Sequence, residues 1–165
     1  MVSPTLLIVW WSVTGAARAL AQAAATGAAS EVTVSTRLMR CDQASANDLL
    51  EAGGLIIACP EMLGSMAGQM KDFFDRTYYE VIERLAGRPY AVIIAAGSDG
   101  QGAARQIERI ATGWRLREVA APLIVCTRAQ TAAAIQAQKT VPPSELARAN
   151  ELGAMLAAGL SIGMW

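Results

Sequence analysis

Short runs of purely apolar residues alternate along this chain with longer segments of helical rhythm. Leu6 to Trp11, Leu55 to Cys59 and Tyr90 to Ala96 hold no charged side chain. A strand with one wet face alternates apolar and polar residues, so an unbroken run requires cover on both faces. Buried strands of this kind belong to parallel sheets with helices above and below. The segments between them supply those helices: Ala16 to Thr26, Ala44 to Glu51, Met66 to Leu85, Gln101 to Ala111, and a last one opened by Pro142 or Pro143. Glu31 to Arg37 reads as a second strand through Val32, Val34 and Thr36, and Leu116 to Cys126 holds a fifth, interrupted by Pro122. Five such units predict a three-layer, doubly wound α/β sandwich, one domain over residues 1–165. Thr127 to Val141 has no apolar rhythm and reads as a surface excursion or a partly ordered loop.

Composition removes several functions. Apolar residues make up 53% and charged residues 17% of 165, so the chain has the material for a core. Fourteen basic residues balance fourteen acidic ones, and nucleic-acid binders carry a basic excess. Histidine is absent, which excludes Ser-His-Asp and Cys-His catalysis and every histidine metal site. Cys41, Cys59 and Cys126 form no CxxC pair. Cys59 at a strand end reads as a small buried hydrophobe. The first basic residue is Arg18, so the run at Leu6 reads as a strand rather than a signal peptide. The uncharged stretch Leu152 to Trp165 falls short of the roughly 20 residues a membrane span needs. The expectation is a soluble cytoplasmic protein.

In open parallel sheets, ligands bind at the carboxyl ends of the strands. Three loops there are rich in small residues. Ser12-Val13-Thr14-Gly15-Ala16-Ala17 follows the first strand and enters a helix, where backbone N–H groups and the helix dipole favour an anion. Pro60-Glu61-Met62-Leu63-Gly64 follows the third strand, and Gly97-Ser98-Asp99-Gly100-Gln101-Gly102 follows the fourth. The first is neither a Walker A motif nor GxGxxG. Each loop alone is equally an ordinary cap or turn. Together they can wrap a phosphorylated planar ligand.

Ser12-x-Thr14-Gly15 resembles the phosphate loop of flavodoxin-like proteins. The stretch from Cys59-Pro60-Glu61-Met62-Leu63-Gly64-Ser65 through Gln69-Met70-Lys71-Asp72-Phe73-Phe74-Asp75-Arg76-Thr77 resembles the second flavin loop and helix of that superfamily, closest to its NAD(P)H-dependent FMN reductase and quinone reductase branch. Gly97 to Gly102 is similar to the third loop. The resemblance implies a flavodoxin-like fold with five parallel strands in the order 2-1-3-4-5, and bound FMN. By it, Ser12, Val13, Thr14, Gly15, Ala16 and Ala17 surround the phosphate. Pro60, Glu61, Met62, Leu63 and Gly64 line the isoalloxazine, and Gly97, Ser98, Asp99, Gly100 and Gly102 close over its other edge. Many relatives have threonine where this chain has Ala17, so one hydroxyl donor to the phosphate is missing.

The resemblance implies an oxidoreductase that takes electrons from NAD(P)H and passes them through FMN to a quinone or other small acceptor. Two alternatives stand: a flavodoxin-type electron carrier, and a protein that has kept the fold and lost strong FMN binding. The neutral charge and the lack of aromatic residues in the second and third loops favour the reductase. Glu61 either touches the flavin edge or is solvated. No residue is a persuasive acid or base, as expected where the cofactor carries the chemistry. Phe73, Tyr79 and Ile82 are expected at the margins of the long helix, as a homo-oligomer interface.

Overall fold

The computed structural model describes residues 2–165. In chain order the elements are β1 (Thr5–Trp10), α1 (Ala16–Ala28), β2 (Ser35–Arg40), α2 (Ala46–Glu51), β3 (Gly54–Met62), β4 (Ser65–Met66), α3 (Gly68–Val81), β5 (Pro89–Ala96), α4 (Gln101–Gly113), β6 (Arg117–Glu118), β7 (Leu123–Cys126), α5 (Ala132–Gln136) and α6 (Pro143–Ser161). The sheet runs β2-β1-β3-β5, all parallel, and β6 and β7 both pair with the outer edge of β5. These two are one edge strand split around Pro122. Without the hairpin strand β4, which folds back antiparallel onto Glu61 and Met62, this is the expected flavodoxin-like order 2-1-3-4-5.

The apolar runs serve two cores at once. Leu6 and Ile8 of β1 join Leu20, Ile56, Ile93 and Leu156 beneath α1 and α6. Leu7 and Val9 of the same strand join Leu55, Ile57, Met70, Phe73 and Trp114 beneath α2, α3 and α4. Successive strand residues point to opposite faces, so a strand covered on both sides has no position for a polar residue. Helices α1 and α6 pack almost backbone to backbone. A Cβ on Gly27 would lie 1.9 Å from the Asn150 carbonyl oxygen, and one on Gly153 would lie 1.9 Å from that of Ala24.

Three expectations need correction. The second strand is Ser35–Arg40, not Glu31 to Arg37. The Glu31 carboxylate accepts from the N–H and hydroxyl of Thr33, and Val34 donates its N–H to the Glu31 carbonyl, so a turn occupies the alternating segment. Val32 is exposed, and only Val34 plugs the core. The third helix starts at Gly68, because Met66 belongs to β4, and it ends at Val81, with Leu85 buried beyond it. Phe73 is fully buried rather than marginal, packed 5.5 Å from Phe74. Of the aromatic residues on that helix, Tyr79 is the one that faces out, at 81% exposure.

Candidate functional site

The first loop makes an open helix N-terminus. Gly15 sits at φ 94°, a left-handed conformation that suits glycine, and donates its N–H to the Ser12 hydroxyl at 3.0 Å. No side chain caps α1 beyond it. The first amides of a helix have no partner within it, so those of Ala16 and Ala17 are available to an anion, aided by the dipole of a 13-residue helix. Both alanines are buried, and their methyl groups leave room above the turn.

The N-terminus of α4 lies at the same sheet edge and is already taken. The Glu61 carboxylate accepts from the Gly100 N–H at 3.0 Å and the Ala103 N–H at 3.3 Å. Glu61 is therefore not a solvated loop residue: its carboxylate fastens the second loop to the third. The fastening is tight, since a Cβ on Gly102 would meet the Gly64 carbonyl oxygen at 2.0 Å. Of two positive helix ends at this edge, only that of α1 remains for a phosphate.

Between these loops lies a cleft of about 310 Å³. Ser12, Val13, Thr14, Ala16, Ala17, Pro60, Glu61, Met62 and Gly97 line it, drawn from all three predicted loops. Gly15 faces the other way, toward the Gln138 amide. Leu63 turns fully outward, Gly64, Gly100 and Gly102 form the junction with Glu61, and Ser98 and Asp99 lie on the outer surface. Among the described residues, no aromatic ring lines the cleft. Cys59 lies buried at the base of the second loop, and burial pushes its thiol up to about 12, so it is an inert hydrophobe. Among the described residues no three of His, Cys, Asp or Glu gather to hold a metal.

The far wall lies outside the three predicted loops. Thr127, Ala129, Ile135, Gln136 and Lys139 belong to the excursion after β7, which the structure shows as ordered wall with α5 at its centre. Lys139 holds it in place. Its backbone N–H donates to the Thr14 carbonyl at 2.8 Å, and its ammonium binds the carbonyls of Ala134, Ile135 and Ala137. The one signal in the sequence is that Lys139 is the sole cation between Arg128 and Arg148.

A parallel sheet in this order, an open α1 N-terminus and a largely apolar cleft beside it define a flavodoxin-like, FMN-binding α/β protein. The residues present fit that group: small side chains floor the cleft at Ala95, Ala96 and Gly97, and unpaired amides stand at its phosphate end. The family model for NADPH-dependent FMN reductase matches residues 11–131, and the chain belongs to that family. It is 29% identical over 97 residues to a flavodoxin of Aquifex aeolicus, covering 59% of this chain and 52% of that protein. It is 39% identical over 57 residues to the quinone oxidoreductase QR2 of Triphysaria versicolor, covering 34% of this chain and 28% of that protein. The chain thus matches about half the length of the first relative and less of the second. An archaeal flavodoxin superposes with a TM-score of 0.76 at 17% identity, over 94% of this chain and 98% of the other. A WrbA-like protein from Agrobacterium tumefaciens does so at 0.67 and 17%, over 96% and 98%. Among the described residues, no helix is long and apolar enough to cross a membrane.

Proposed function

We propose that this chain is an NAD(P)H-dependent oxidoreductase that passes electrons through FMN to a quinone or another small acceptor. The observation that carries the proposal is the uncovered cleft: its walls hold no Trp, Tyr or Phe, and its rim is apolar. Val13 is 61% exposed, Met62 42% and Ile135 54%. A carrier that only docks on protein partners gains from rings that shield its flavin. An enzyme needs a bare face on which a nicotinamide and then an acceptor can stack.

When bound, FMN supplies the redox chemistry, accepting two electrons from a reduced nicotinamide and releasing them to the acceptor. The residues of the chain position it. The amides of Ala16 and Ala17 would hold the phosphate, and Thr14 lines the cleft next to them. Pro60, Met62 and Gly97 line the cleft and would border the ring system. Glu61 acts through α4, keeping the second and third loops at fixed separation. Val13, Met62 and Ile135 make an apolar mouth that favours planar, weakly polar acceptors. The test is NADPH oxidation by the FMN-loaded protein with and without a benzoquinone. Acceptor-dependent turnover supports the enzyme, whereas bound flavin that NADPH does not reduce supports a carrier.

A further inference from the structure

The turn that joins β3 to β4 breaks two local rules. Glu61 pairs with Met66 and Met62 with Ser65, so Leu63 and Gly64 alone make the bend. Both have positive φ, 53° and 75°, as a tight two-residue hairpin turn requires. Glycine or asparagine takes the first of these positions readily, whereas a leucine there sits in a left-handed conformation that its Cβ disfavours. The fold gives its side chain nothing in return, because Leu63 is fully exposed. A strained backbone that presents an unpacked apolar side chain points to a contact with something outside the chain. Leu63 does not stand alone. It follows Met62, and Val13 and Ile135 reach the same cleft mouth from the first loop and α5; all three line the cleft and are exposed. Among the described residues, the charged groups lining the cleft are Glu61 and Lys139. Backbone amides take up the first and three carbonyls the second.

We propose that Leu63, with Met62 beside it, determines acceptor specificity by binding an alkyl substituent, so that this site takes a quinone with a hydrocarbon tail. The proposal rests on the reading of the chain as a flavoprotein that reduces quinones, and it narrows that reading to one substrate class. A quinone head stacked on the flavin shares a cleft of about 310 Å³ with it, so a tail has to leave across the margin. Laid over Met62 and Leu63, the tail removes apolar surface of both partners from water. That attraction is non-directional, which suits a flexible chain without polar atoms. A small hydrophilic acceptor gains nothing from Leu63. The turn thus holds out, in a strained conformation, a side chain whose apolar surface is covered only when a tailed substrate arrives.

The experiment is calorimetric titration of the FMN-loaded protein with methyl-benzoquinone and with pentyl-benzoquinone. Full burial of a methylene is worth roughly fourfold in affinity, and a tail covered on one side gains part of that. The pentyl compound is therefore expected to bind at least about tenfold tighter. Leu63→Asn is expected to cut that ratio severalfold, and Leu63→Met, which keeps the apolar surface, to preserve it. Asparagine suits the turn, so Leu63→Asn should melt no lower than wild type, and a lost ratio cannot be laid to misfolding. Equal affinities for the two quinones overturn the proposal, as does failure of both to bind, or a ratio that Leu63→Asn leaves unchanged. A margin that serves a membrane instead would show equal quinone affinities and Leu63-dependent sedimentation with phosphatidylglycerol vesicles, which also overturns it. Titration requires no turnover. Failure of the reductase reading shows as absent NADPH oxidation with either quinone, and failure of this proposal shows in the calorimetric ratio.

Discussion

Two residues at the first loop decide whether the cofactor stays. Gly15 is left-handed, and a Cβ there would lie 2.2 Å from the Gln138 side-chain nitrogen. Gly15→Asp adds backbone strain and a negative charge at a phosphate site, so the variant is expected to purify without FMN and to fail to take it up in fluorescence titration. Ala17 is the opposite case. It is the second residue of α1 and lines the cleft, with its methyl buried. Ala17→Ser adds a donor with little added volume. It is expected to tighten FMN by about one to two decades, the value of a hydrogen bond to a charged group. Riboflavin, which lacks the phosphate, should bind both forms equally. An equal gain for both flavins would place the new hydroxyl away from the phosphate.

The elements are held together at their ends, and those ends give two predictions. Glu61→Ala leaves the Gly100 and Ala103 amides without their acceptor, so α4 and the third loop loosen. The expected cost is about 1–2 kcal/mol in urea unfolding, with weaker FMN binding besides. At α2, Ser45 and Asp48 form a reciprocal cap, and Arg37 of β2 pairs with Asp48. Burial alone would raise the Asp48 carboxyl, but hydrogen bonds from Ser45 and Arg37 outweigh it and hold it below the ordinary value. A carboxyl lowered in the folded state stabilises above its unfolded value, near pH 4, and that stability is lost as pH falls through the folded value. Wild type should therefore lose more stability between pH 6 and pH 3 than Asp48→Asn does. Much of this scale was readable from the residues. Unbroken apolar runs gave the central strands, because burial on both faces leaves no other pattern. The edge gave less: β2 pairs with β1 alone, and a Glu31–Thr33 turn imitates its alternation. The wall around α5 gave least. Its residues are exposed and small, its order comes from Lys139 bonding to carbonyls, and backbone acceptors leave no trace in side-chain periodicity.

At the scale of the molecule, the outer surface of α3 carries Tyr79, and Ile82 lies just past the helix end, 39% exposed. A second copy packed over these residues remains our proposal for assembly. Light scattering should show an oligomer at micromolar concentration that Tyr79→Glu dissociates. Phe73, being core, is unsuitable for that test. The central claim is that an FMN held by the first loop serves a bare cleft where small molecules exchange electrons. Its most direct test is the steady-state rate of NADPH oxidation by FMN-loaded protein as a benzoquinone is added. The rate is expected to rise with quinone to saturation and to disappear in Gly15→Asp. A stoichiometrically flavin-loaded protein whose NADPH oxidation is indifferent to quinone would contradict it.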